Sequence, residues 1–147
     1  AFADQALVLD PNHAWAWMRR GFGQVYLGSP EEGLAAFQRS EQLSPRDPFA
    51  FNVHLGMGLA HFAAGRPQQA LQMARQALAE RPGLNWPHRD MAVYYAHQGD
   101  LAAARTSLEQ FLAMRPGMSV EGIGNSLRFM EPARPSLVRR LPPSMLR

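Results

Sequence analysis

The sequence predicts an all-α fold, a solenoid of stacked helical hairpins followed by a C-terminal capping helix, and three observations predict it. Prolines at positions 11, 45, 82 and 116 recur at spacings of 34, 37 and 34 residues, each behind a stretch of helical character. Glycines at 28, 65 and 99 fall in matching places within those intervals, where a left-handed residue ends a helix at least steric cost. Between these marks small and large residues recur at fixed offsets, the pattern of units that bury their apolar faces only against their neighbours.

Residues 1–13 read as the second half of a preceding unit, because Ala6, Leu7 and Pro11 occupy end-of-repeat positions. Three full units follow, at 14–47, 48–84 and 85–118. Registered on its closing proline, the first places Trp17, Gly21, Gly28, Gly33, Phe37, Ser40 and Pro45. The second places Met57, Gly58, Gly65, Ala70, Ala74, Ala77 and Pro82, and the third Met91, Ala92, Tyr95, Gly99, Ala104, Leu108, Phe111 and Pro116. Ser29-Pro30-Glu31-Glu32 reads as an N-cap serine, a first-turn proline and a glutamate three residues on, a combination that closes the open amides of a helix start. Pro67 holds the same register one unit later. Asp47-Pro48 reads as a cap and first turn placed three residues early, which accounts for the wider spacing and predicts a longer helix there. Beyond Pro116, one more helix is expected at 119–129 and a short one at 135–141, broken by Pro132, Pro135, Pro142 and Pro143. Residues 117–147 then serve as a cap on the last apolar face.

These positions match the small and large sites of W-x2-L-G-x2-Y, A-x3-F and P, and the chain resembles the tetratricopeptide-repeat (TPR) family. It departs from that pattern at Arg20 and Gln24, where Leu and Tyr are usual, and at His54 and His88, which take the usual Trp site. The resemblance implies a right-handed superhelix that binds other proteins. The run Leu43-Ser44-Pro45-Arg46-Asp47-Pro48-Phe49, with Ala60-His61-Phe62-Ala63-Ala64-Gly65-Arg66, resembles the TPR region C-terminal to bacterial class III adenylate/guanylate cyclase domains and winged-helix transcriptional regulators. Arg115-Pro116-Gly117-Met118-Ser119-Val120 is similar to the exit segment of the same group. This narrower likeness implies the regulatory or scaffolding part of a larger bacterial signalling protein, and it brings no catalytic or DNA-contacting residue with it.

Composition narrows the function. A chain of 147 residues that is 46% hydrophobic can bury one core of ordinary size. No run of eighteen apolar residues spans a membrane and no secretory leader is visible, so a cytoplasmic location is expected. The chain opens at Ala1 inside a helical pattern, as a piece of a longer protein would. Without cysteine there are no disulfides, thiolate nucleophiles or zinc ribbons. The pI of about 10.2 suggests nucleic acid, but all 15 basic residues are Arg, and with no Lys to titrate the pI overstates basicity. Residues 1–116 hold ten Arg against ten acids, whereas 117–147 hold five against two. A repeat body without net charge lacks the basic stripe that phosphate contacts need, and no nucleic-acid partner is expected.

The apparent catalytic motifs lack the residues and setting their chemistry needs. His88-Arg89-Asp90 has the letters of a kinase catalytic loop but lies inside a helix, without the Gly-rich strand, lysine or metal-binding asparagine. Gly21-Phe22-Gly23 with Gly28 has the wrong spacing for a dinucleotide loop and follows a helix. His54 and His61 share a face, yet stand about 10 Å apart along the axis, too far to hold one metal. Asp100, after His97, reads as a helix N-cap. No catalytic residue, cofactor or metal is expected.

The resemblance also implies a groove lined by the second, fifth and ninth residues of each first helix. These are Trp15, Met18 and Phe22, then Asn52, Leu55 and Leu59, then Trp86, Arg89 and Val93, an apolar and aromatic set. It lacks the Lys, Asn and Arg ring with which chaperone-binding TPRs clamp a terminal carboxylate. An apolar face of this size calls for a cover, either a protein or peptide partner, a second copy in a homodimer, or the C-terminal segment. The alternative is a small-molecule sensor, which would require a closed pocket between Trp15 and Trp86.

Overall fold

The computed structural model describes residues 2–117, so the helices expected at 119–129 and 135–141 lie outside the described residues. Seven α-helices and no strands make up the described part: α1 (Phe2–Leu9), α2 (Ala14–Leu27), α3 (Pro30–Leu43), α4 (Ala50–Ala63), α5 (Pro67–Glu80), α6 (Trp86–Gln98) and α7 (Leu101–Ala113). Helices α2 and α3, α4 and α5, and α6 and α7 form hairpins. Each hairpin packs on the next through α3 against α4 and α5 against α6, while α1 lies on α2. The all-α solenoid expected from the repeat period is therefore the observed architecture.

The pairs are antiparallel, as their cross-contacts require. The Ser40 hydroxyl near the end of α3 donates to the Ala14 carbonyl at the start of α2 over 2.8 Å. At the other end of the hairpin, a Cβ on Gly33 would fall 2.9 Å from the Gly21 carbonyl oxygen, so the two backbones meet only because Gly33 has none.

Each first helix ends in the same way. Gly28 has φ of 96° and donates to Val25, while Ser29 N–H reaches the Gln24 carbonyl over 2.8 Å. The same two bonds recur at Gly65 with Arg66 and at Gly99 with Asp100, closing orphan carbonyls in a Schellman turn that needs a residue at positive φ. The second helices start differently from expectation. Pro30 and Pro67 sit in the first turns of α3 and α5, but the Ser29 side chain makes no capping bond; Glu31, next to the glutamate expected to complete the cap, pairs with the guanidinium of Arg66. Asp100 does cap α7, accepting from Ala103 N–H at 3.0 Å.

The expected lengthening of a helix is also overturned. Helix α4 is not lengthened by Asp47-Pro48, because it starts at Ala50 and has 14 residues, like α2. Asp47 Oδ1 accepts from Phe49 N–H at 2.8 Å, and Ala50 N–H bonds back to the Asp47 carbonyl. The additional residues are thus spent on a local turn, the structure that a short aspartate side chain favours over helix.

Two apolar clusters fill the stack. Phe37 is fully buried in the first with Met18, Val25, Val53, Met57 and Ala60. It is flanked by two glycines: a Cβ on Gly21 would sit 2.7 Å from its ring, and one on Gly56 closer still. The second cluster joins Ala70, Leu71, Ala74 and Tyr94. Phe111 is buried in the last hairpin.

Candidate functional site

Helices α2, α4 and α6 are neighbours, and the nine residues expected to line a groove are spread over them. Their environments divide the set. Trp15 is 61% exposed and Trp86 41% exposed, and each stands thirteen residues ahead of a positive-φ glycine, Gly28 and Gly99. Met18, in contrast, is buried in the first apolar cluster beside Val53, so its side chain supports the surface instead of projecting from it. Phe22 and Leu59 pack partly against that cluster, Phe22 edge-on to Phe37 at 4.9 Å. Val93 packs on the second cluster, and Asn52 and Leu55 are half-buried.

Near the α6 end the surface is polar beneath its aromatic rim. The Trp86 ring lies 5.0 Å from the Arg89 guanidinium carbon and 4.7 Å from that of Arg115, and leans on Phe111 at 6.3 Å. Arg89 Nε and Nη2 both donate to Asp90 Oδ1, at 2.8 and 2.6 Å. Burial pushes the Asp90 carboxyl above its ordinary value, and the adjacent guanidinium opposes that rise. Burial likewise raises Tyr94 well above the usual phenol range, with the Asp90 charge adding to it. Tyr26, from the end of α2, senses both Arg89 and Asp90 and is raised chiefly by its own desolvation. Helices α2 and α6 therefore share one electrostatic neighbourhood.

At the other end, Trp15, Met18 and Asn52 share the wall of a cavity of about 260 Å³ between α2, the end of α3 and the start of α4. Trp86 does not line this cavity. Tyr26, Asp90, Glu41, Asp47 and Phe49 lie outside the nine groove positions. An exposed aromatic two residues before a helix-ending glycine was the available signal for Tyr26. For Phe49, 58% exposed, it was the Asp-Pro turn that carries it.

The histidines at unusual repeat positions find separate explanations. His54 is 4% exposed and bridges Glu41, Glu80 and Gln76 across α3, α4 and α5. His61 accepts from Arg66 Nε at 2.9 Å, and burial, then the Arg66 charge, lowers its pKa. Among the described residues no group of three His, Cys, Asp or Glu is placed to hold a metal ion. Nor is any helix among them long and apolar enough to cross a membrane.

Repeated antiparallel hairpins with aromatic side chains left exposed on their first helices define a helical-repeat scaffold, a class that presents surfaces to other molecules. Family models described as tetratricopeptide repeat match residues 23–85 and 61–118, together the greater part of the chain. The chain belongs to the tetratricopeptide-repeat family, whose members are in general protein-interaction modules without catalytic activity. No curated protein matches the sequence. Among solved structures it is similar to MamA (TM-score 0.67, 18% identity, 98% of this chain and 82% of that one). It is also similar to the first TPR domain of human RPAP3 (0.66, 17%, 88% and 98%) and to PilF of Pseudomonas aeruginosa (0.67, 18%, 96% and 66%). At these identities the likeness is one of fold.

Proposed function

We propose that this chain binds a peptide or helix of a partner protein along the face of α2, α4 and α6. The observation that carries the reading is the pair Trp15 and Trp86, exposed at the same distance from their helix-ending glycines in different repeats. Large aromatics cost energy to leave in water and contribute most when a partner covers them, which is why Trp, Tyr and Arg dominate interface hot spots. Arg89, Asp90 and Tyr26 would supply the directional contacts between the two tryptophans. A second copy of the chain is an equally suitable source of such a segment. The sequence likeness at residues 43–49 and 60–66 supports a regulatory or scaffolding place within a larger bacterial signalling protein.

The test is selection of binders from a displayed random-peptide library, followed by affinity measurement on Trp86→Ala and Arg89→Ala. Loss of at least about tenfold in affinity with unchanged helical circular dichroism is expected, since truncated hot spots cost on the order of 2 kcal/mol. Binders indifferent to both substitutions would place the interface elsewhere.

A further inference from the structure

The cavity at the α2 end differs in character from the rest of the face. Its rim carries two exposed aromatics, Trp15 on α2 and Phe49 ahead of α4, at 61% and 58% exposure. Its wall carries two carboxylates, Glu41 and Asp47, and no basic residue. Glu41 lies in the last turn of α3, which holds no basic side chain, so its charge adds to the negative end of the helix dipole. Its neighbour His54 is shared with Glu80, and even a charged imidazolium balances only one of two carboxylates. Asp47 is oriented by its bond from Phe49 N–H. At about 260 Å³ the space falls below the roughly 300–1,000 Å³ of clefts that enclose drug-sized ligands, and suits one long side chain.

We propose that this cavity is a subsite for an arginine side chain of a bound peptide, its guanidinium stacked on Trp15 or Phe49 and paired with Glu41 and Asp47. A planar guanidinium stacks on aromatic rings and pairs with carboxylates in one orientation, which an ammonium does less well. Trp15 already receives a guanidinium on one side, that of Arg19 at 5.5 Å from the ring centre. The inference rests on the peptide-binding reading and gives it a preference: partners carrying an arginine at the position that reaches the α3–α4 turn.

The probe is N-acetyl-arginine methylamide, titrated into the 15N-labelled chain with the Trp15 indole and the amides of Glu41, Asp47 and Phe49 as reporters. Saturable shifts confined to these groups and weakened by salt are expected, with no comparable shift from the neutral citrulline analogue. Asp47→Asn, which keeps the acceptor for the Phe49 amide, and Trp15→Ala should each weaken the probe about tenfold, the scale of one charge-assisted hydrogen bond. Thermal melts of both variants show that the fold is intact. Equal shifts from the citrulline analogue, no shift, or shifts unaffected by either substitution in a folded variant would overturn the subsite. Selected peptides that bind without basic preference would overturn it while leaving the peptide-binding reading standing; arginine binding with no selectable peptide would do the reverse.

Discussion

His54 Nδ1 lies 3.0 Å from a carboxylate oxygen of Glu80, and because its Nε2 meets Glu41 at the same distance, one buried imidazole ties α4 to α3 and α5 at once. The repeat pattern places tryptophan there, which would fill the seam by volume. Here the seam is closed by hydrogen bonds to carboxylates that are themselves partly exposed, each contributing about 1 kcal/mol. His54→Ala should therefore lower the unfolding free energy by about 2–4 kcal/mol in urea titration, from lost bonds and the cavity together. Glu41→Gln and Glu80→Gln should each cost less, and a loss below about 0.5 kcal/mol for His54→Ala, the scale of a surface change, would show the bridge to be incidental.

Phe37 and its flanking glycines form a second tight relationship. Phe37→Ala should cost about 3–5 kcal/mol, as buried aromatics do, and Phe111→Ala about the same. Gly56→Ala should also destabilise, although alanine gains about 1 kcal/mol of intrinsic helix preference over glycine. With Phe37 reduced to Leu, the cost of Gly56→Ala should shrink, and strict additivity in that double-mutant cycle would mean that the ring and the glycine do not compete for space.

Trp86 combines two roles, because it is half exposed yet leans on Phe111 and two guanidinium groups. Trp86→Ala should cost about 1–2 kcal/mol of stability, less than Phe111→Ala, while losing at least about tenfold in partner affinity. Chemical denaturation and binding isotherms on the same preparations check this. Equal stability losses at Trp86 and Phe111 would make Trp86 a core residue.

Asp90 gives a pH dependence of definite sign. Its folded-state pKa is raised above the ordinary 3.8, chiefly by desolvation, so the stability linked to it is fully present below 3.8 and is lost as pH rises through the folded value. Asp90→Asn removes that slope while keeping an oxygen to accept from Arg89. Relative to the parent chain, the variant should gain stability as pH rises above about 4, the ordinary aspartate value. A growing deficit over that range would mean that attraction to Arg89 outweighs burial.

What the sequence determined by itself was the periodic part of the protein. Proline spacing, glycines at the ends of α2, α4 and α6, and the buried Phe37 and Phe111 all follow from constraints that repeat every unit, so a single chain displays them several times over. The exposed positions of Trp15 and Trp86 on α2 and α6 were legible for the same reason. Tertiary structure decided what does not repeat. Helix α4 starts at Ala50 because Asp47 bonds to Phe49 in a turn, a local competition that the Asp-Pro pair alone did not resolve. Met18 and Phe22 sit at groove positions by register, but their depth depends on Phe37 and Val53, which come from α3 and α4. His54 finds Glu41 and Glu80, thirteen residues before it and twenty-six after it, and Trp15 finds Phe49 and Asp47 across the same cavity. Those meetings depend on how neighbouring helices cross and how their loops turn, and spacing along one helix encodes neither.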